Sequence, residues 1–327
     1  MTSRIEALKA KLKKDKEKSA QGKAPSKYFR FWDVEVGESS KFRFLPDANV
    51  DNPDYYFVEE MMYDWTFDDP DNRGKSVNIK MPCRNMYTPA SCSVWGVISE
   101  LFNQNDPRAS KLWVKRNYLA QGFVRSTPLV EDPAPEKKIR YVTMSRDLKD
   151  IQTAKISETD PDRALPYADP IDYENGVDFT FTKTKKPNGY NDYSTSAFIN
   201  RSTPLTQEEI DAIEEEGLID LRELLPKEPS EEAWRVQEQM LEAFLNDEPW
   251  NVEWETHFRP WKEANKNGGD TTDTTAGTKP NAKMADDLPV KEEADAPAPV
   301  DETPAEKPAS SGSSPQDMLA RIKARAK

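Results

Sequence analysis

Histidine is nearly absent from these 327 residues: His257 stands alone. Most hydrolytic and metal-assisted chemistries draw on several imidazoles, so catalysis has little to work with. Cysteine is almost as scarce. Cys83 and Cys92 are the only two, too few for a disulfide scaffold and in keeping with a reducing compartment. No apolar run is long enough to span a bilayer, and the first residues carry no apolar stretch of a secretory signal. A cytoplasmic protein without membrane contact is therefore expected. No phosphate-cradling glycine loop of the P-loop or dinucleotide type occurs, and no serine or cysteine stands in a recognisable nucleophile context. Apolar residues make up 36% of the chain and mean hydropathy is −0.88, so part of it cannot be packed core.

Metal sites fare no better. Cys83 and Cys92 offer two soft ligands, Trp95 stands where a third cysteine would complete a CxxC pair, and structural zinc needs four. The stretch Asp69-Pro70-Asp71-Asn72-Arg73-Gly74 begins like a calcium loop. Arg73, however, occupies a ligand position and Lys80 stands where the bidentate glutamate belongs. No metal, no other cofactor and no enzymatic activity are expected.

What the chain does have is charge in blocks. Its formal net charge is −13, yet Arg108 to Lys155 holds eleven Lys/Arg against five Asp/Glu. Residues 1–27 carry nine basic and three acidic side chains, whereas 206–248 carry fifteen acidic and three basic ones. Nine acids and no base lie between Asp47 and Asp71. Such polarity suits a protein that guides a polyanion to one face and repels it elsewhere. In the basic stretch, rings interleave with cations: Trp113, Lys115, Arg116, Tyr118, Phe123, Arg125, Lys138, Arg140 and Tyr141. A second run follows at Lys183, Lys185, Lys186, Tyr190 and Tyr193. Cations neutralise phosphates, and a ring stacked on an unpaired base contributes about 1–3 kcal/mol. The same residue types also serve strands that bury rings in a core and leave lysines on a solvated edge.

Periodicity supplies the elements. Residues 2–18 read as a basic amphipathic helix on Ile5, Leu8 and Leu12. Lys41-Phe42-Arg43-Phe44-Leu45 alternates as a half-buried strand with cations outward and stops at Pro46. An apolar segment from Tyr55 to Tyr63 precedes an acidic loop from Asp64 to Gly74. Val94, Val97, Ile98, Leu101 and Phe102 predict a short core-facing helix. Strands are expected over 112–124, 137–144 and 177–182, with a helix near Leu148–Lys155 and a turn at Pro187-Asn188-Gly189. Thr206-Gln207-Glu208-Glu209 is a capping box for a helix ending at Gly217, and a second acidic helix spans 230–245. Trp250, Trp254 and Trp261 close this acidic extension. A Pro/Ala/Glu- and Thr-rich linker then predicts disorder, and Asp317 begins a short basic helix. Strands broken by turns with a helix between them predict a mainly β, α+β protein with a Greek-key barrel of the OB type.

Several segments stand in a telling order. They are Phe42-Arg43-Phe44-Leu45-Pro46, Cys83 with Cys92-Ser93-Val94, Val114-Lys115-Arg116, Asp132-Pro133-Ala134-Pro135-Glu136, and Gly189-Tyr190-Asn191-Asp192-Tyr193 followed by Phe198 and Asn200. Over roughly 38–203 the chain resembles the single-stranded DNA-binding, helix-destabilising proteins of T-even-like bacteriophages. The resemblance implies an OB core with a connected clamp subdomain, coating single-stranded DNA during replication, recombination and repair in the cytoplasm of an infected bacterium. It implies groove positions at Lys115, Arg116, Tyr118, Tyr141, Tyr190 and Tyr193. It also implies head-to-tail cooperativity through residues 1–20, and contacts of the C-terminal region with replication and recombination proteins. The family's zinc site, a histidine and three cysteines, is reduced here to Cys83 and Cys92, so Met81, Met86, Trp95 and Val97 are expected to hold the subdomain by packing. The basic C-terminal end is a second departure, because the family ends acidic.

The expected organisation is a basic arm (1–27), a DNA-binding core (28–205), an acidic helical extension (206–262), a disordered linker (263–314) and a basic terminal helix (315–327). Phosphate contacts are assigned to Lys115, Arg116, Arg125, Lys138, Arg140, Lys183, Lys185 and Lys186. Stacking is assigned to Tyr118, Phe123, Tyr141, Tyr190 and Tyr193. Two other readings compete: a recombination mediator or RNA-binding OB protein, and a phage scaffolding protein that binds no nucleic acid.

Overall fold

The computed structural model describes residues 26–71, 74–131, 134–160, 162–167 and 169–260. The N-terminal helix and cooperativity arm, Trp261, the linker and the basic terminal helix lie outside the described residues. In chain order the strands and helices are β1 (Ser39–Leu45), β2 (Phe57–Asp68), β3 (Ser76–Pro82), α1 (Ser93–Asn103), α2 (Ala109–Leu112), β4 (Lys115–Ser126), β5 (Ile139–Ser145), α3 (Arg146–Ile156), β6 (Phe179–Thr182), β7 (Thr184–Lys185), β8 (Asn191–Asp192), β9 (Ala197–Phe198), α4 (Gln207–Glu216) and α5 (Glu231–Leu245). The class is mixed α+β with mainly antiparallel strand pairing. Two units divide the chain: one holds residues 26–58 and Asn117–Leu224, the other Glu59–Arg116 and residues 225–260. The acidic extension is thereby shared out, α4 to the first unit and α5 to the second.

In the first unit five strands pair in the order β5-β4-β1-β6-β9. β1 is central, with Phe44 opposite Gly122 on β4 and Phe42 opposite Phe179 on β6. Phe42 and Phe44 enter a ring-rich core with Phe29, Phe31, Tyr118, Val142, Phe179, Phe181 and Tyr193. Gly122 is required at its position. A Cβ there would fall on the Arg43 carbonyl and the Phe42 ring.

Arg43 corrects the expectation of outward cations on this strand: it is fully buried. Its Nη1 donates to the Pro170 carbonyl at 2.5 Å and to that of Val177 at 3.0 Å, and its Nη2 donates to the Asp172 carbonyl. A segment with no regular structure thus covers the face that alternation assigned to solvent. Burial, with Arg125 nearby, pushes the guanidinium down to about 10. Gly176 lies against it so closely that a Cβ would collide.

α4 starts as the sequence predicted. The Thr206 hydroxyl accepts from the Glu209 N–H, the Glu209 carboxylate accepts from the Thr206 N–H, and Gly217 ends the helix at φ +72°. Its Ile210, Ala212 and Ile213 pack with Leu45, Phe123 and Ile139. Gln121 donates to the carbonyls of Pro46 (2.8 Å) and Ile219 (3.2 Å), and Asp47 accepts from the Leu221 N–H at 3.0 Å.

The second unit is a β2–β3 hairpin with α1, α2 and α5. β2 continues through Asp68, so half of the expected acidic loop is strand. Its register with β3 runs from Met62 opposite Pro82 to Asp68 opposite Ser76. Tyr63, Trp65 and Phe67 alternate inward and meet Ile79, Met81, Val94, Val97, Leu101, Leu241, Trp250 and Trp254. Met86 and Trp95 pack against this cluster, so the packing role expected of Met81, Met86, Trp95 and Val97 is realised. The Trp65 indole N–H donates to the Leu112 carbonyl at 3.1 Å, and Gln237 on α5 donates to that of Pro82 at 3.0 Å.

Candidate nucleic-acid interface

Sequence reasoning placed five rings on a binding surface. Four of them belong to the first unit's interior: Phe123 is 4% exposed, Tyr118 6%, Tyr193 7% and Tyr141 8%. Phe123 packs with Leu45 and Ile139. Tyr118 meets Phe57 edge-on at 5.5 Å, with the Lys149 ammonium 5.7 Å from its ring centre. Tyr193 stands edge-on to Phe31 at 5.5 Å, and burial pushes its hydroxyl up to about 12. Tyr141 is covered by the incoming chain: its N–H donates to the Lys27 carbonyl and its carbonyl accepts from the Phe29 N–H. The stacking roles of Tyr118, Phe123, Tyr141 and Tyr193 are corrected accordingly. A ring on a strand whose faces are both covered cannot offer its own face to a base. Tyr190, half-buried beside the β7–β8 turn, is the one of the five that keeps some exposure.

The cations divide in the same way. Arg140 has a side chain only 4% exposed; it holds Glu131 through two 2.7 Å bonds and the Tyr28 carbonyl through a third at 3.0 Å. Arg125 pairs with Asp178 at 3.1 Å and Glu209 at 2.7 Å. The Lys183 ammonium donates to the Trp32 and Val34 carbonyls, each at 2.8 Å, and burial lowers its pKa. These three are corrected from phosphate ligands to internal ties, because their donors are already committed to carboxylates and carbonyls of the same unit. Lys138, Lys185 and Lys186 are exposed. Lys185 and Lys186 flank the turn between β7 and β8 with Tyr190.

A second set of rings and cations is found in the other unit. Trp113, just before β4, lies 4.9 Å from Trp95 of α1 and 5.2 Å from Phe102 at the end of the same helix. Both indoles are half-buried and Phe102 is 38% exposed. The Arg116 guanidinium sits 5.4 Å over the Trp95 ring and binds Glu59 at 3.1 Å; Lys115 binds Asp64 at 2.9 Å. The Asp64 side chain is only 10% exposed, whereas Arg116 and Glu59 are both partly open; a pair of the second kind contributes about 0.2–1 kcal/mol, so Arg116 can exchange its carboxylate for a phosphate at small cost. Trp113 stood among the interleaved rings of the sequence, but Phe102 read as core on helical spacing and Trp95 as packing in place of a metal ligand. Only the fold brings the three together.

Cys83 and Cys92 share one hydroxyl: Tyr63 Oη lies 3.4 Å from the Cys83 sulfur and 3.6 Å from that of Cys92. Zinc does not fit here. Two thiols and a phenol fall short of four ligands, and among the described residues no three His, Cys, Asp or Glu side chains cluster closely enough to hold a metal. Nor is any helix of the described residues long and apolar enough to cross a membrane. No protein-family model matches the chain, and no curated protein is significantly similar to it.

Proposed function

We propose that this chain is a binding protein for single-stranded DNA, sequence-tolerant and non-catalytic, acting by base stacking and phosphate neutralisation. The observation that carries this reading is the Trp95–Trp113–Phe102 cluster, partly open to solvent and set beside Arg116 and Lys115. Every base has a flat face, so rings beside exchangeable cations bind a strand without reading its sequence. The β7–β8 turn, with Lys185, Lys186 and Tyr190, supplies a second phosphate and base contact on its own unit. The sheet order β5-β4-β1-β6-β9 is taken as the OB-type core of such a protein, in line with the resemblance to the phage helix-destabilising family. Cooperativity through residues 1–20, recruitment of replication proteins by the C-terminal region, and action in the cytoplasm of an infected host belong to the same proposal.

The test is a titration of the tryptophan fluorescence with oligo-dT across salt. Binding should quench the indoles, and log affinity should fall with log salt by about 0.7 for each phosphate neutralised. A flat salt response overturns the proposal. Competition with the matching RNA oligomer distinguishes it from an RNA-binding role, since a reader of the 2′-hydroxyl would prefer RNA. No binding of either polymer at low salt would leave the scaffolding role.

A further inference from the structure

Two sulfur atoms in the second unit have no part in the reading above. Cys83 ends the path of β3 and Cys92 is the N-cap of α1, and both are buried. The Tyr63 hydroxyl touches both sulfurs, at 3.4 Å from Cys83 and 3.6 Å from Cys92, and so brings them to one place. The loop between them is already folded so that its ends meet. The Cys92 N–H donates to the Asn85 side chain at 2.9 Å and the Met86 N–H donates to the Cys83 carbonyl at 3.0 Å. The far side is tied down by Tyr87, whose hydroxyl donates to the Pro226 carbonyl at 2.7 Å, and by the pair of Arg84 with Glu231.

The two thiols are not equivalent. Cys92 Sγ accepts the Trp95 N–H at 3.4 Å, at the start of a helix of eleven residues, where backbone donors and the helix dipole favour a thiolate. The neighbouring Cys83 sulfur, with hydrogen bonds from Trp95 and Tyr63, lowers the pKa of Cys92 against the opposing effect of burial. The same closeness, together with burial, moves Cys83 the other way. Cys92 is 8% exposed and Cys83 not at all.

We infer that Cys92 and Cys83 form a peroxide-sensitive pair, Cys92 being oxidised first and Cys83 closing an intramolecular disulfide. In the first step the Cys92 thiolate attacks a hydroperoxide oxygen. A sulfur–oxygen bond forms, the oxygen–oxygen bond breaks, and the departing hydroxide takes a proton to become water. In the second, the Cys83 sulfur attacks the Cys92 sulfenic acid. A disulfide forms, the sulfur–oxygen bond breaks, and the Cys83 proton leaves with the hydroxide as a second water. Two thiols and one peroxide give one disulfide and two waters.

The pair stands apart from the nucleic-acid proposal and is tested without DNA. The full chain is treated with a few equivalents of hydrogen peroxide, and then intact mass and a non-reducing peptide map are read. The expected result is loss of two hydrogens and a Cys83–Cys92 cross-linked peptide, reversed by dithiothreitol. A melting temperature raised by several degrees should accompany it, because the bond closes a short loop. In Cys83→Ser, with no resolving thiol, Cys92 should be trapped by dimedone as the sulfenic acid, while Cys92→Ser should take up neither oxygen nor dimedone. Cys92 that stays fully alkylatable in the wild-type chain, irreversible gain of oxygen without a cross-link, or a disulfide joining two copies would each overturn the inference. The wild-type peptide map decides the matter even if a serine variant fails to fold.

Discussion

The rings of the first unit and those of the second make opposite uses of the same chemistry. In the first, Tyr118, Phe123, Tyr141 and Tyr193 sit on or beside strands whose faces are both covered, and the nearby Arg125 and Arg140 are spent on carboxylates and carbonyls. In the second, Trp95, Trp113 and Phe102 lie on a helix surface and a connecting segment. There a ring can pack on one side and remain open on the other. Interleaved rings and cations therefore stay open to a ligand only where the backbone leaves one face uncovered. Where the backbone covers both faces, the same pattern builds a core with internal ion pairs.

The sharpest way to break this contrast is to remove a ring or cation from the covered set. Phe123→Ala and Arg43→Ala should each destabilise the protein by about 3–5 kcal/mol, the first through a cavity, the second by stranding three carbonyls in the interior. Denaturant melts measure this, and protein still folded should bind oligo-dT as tightly as the parent. A loss of affinity larger than the loss of stability would return Phe123 to the interface.

Next in size, Trp113→Ala should lower oligo-dT affinity by about 1–3 kcal/mol, roughly fivefold to 150-fold. Its melt should shift less than that of Phe123→Ala. An unchanged affinity would remove the indole cluster from the proposed site. Smaller again, Lys115→Ala should flatten the salt slope by about 0.7, one phosphate contact, with a modest loss of stability from the Asp64 carboxylate it leaves behind. Lys183→Ala should lower stability and leave the slope unchanged, since its ammonium is held by the Trp32 and Val34 carbonyls. If both lysines alter the slope equally, burial does not separate the two sets.

Local signals carried much of the fold. The alternation of residues 41–45 gives β1, the 3.6 period of Val94 to Phe102 gives α1, and the capping box at Thr206 places the start of α4. What escaped was written elsewhere in the chain. β7, β8 and β9 are two residues each and exist through their partners rather than through propensity. Arg43 looked solvent-facing because its cover, residues 170–177, comes from a segment without periodicity. The candidate site was legible in composition, and Lys115 and Arg116 remain in it. The rings of that candidate site were not legible, because alternation separates two faces without telling whether the second is also covered. Trp95 and Phe102 share a helix with a true core stripe, and nothing local distinguishes a ring at the edge of that stripe from one within it.

The central place of β1 bears on how the chain must be made. Its Phe42, Phe44 and Leu45 leave the ribosome before their neighbours at residues 121–126 and 179–182, which follow only after long stretches of intervening chain. At roughly 5–20 residues per second, these apolar side chains wait several seconds for shelter. The nascent polypeptide is accordingly expected to engage holding chaperones over that interval and to close its first unit only once Phe179 and Phe181 have emerged.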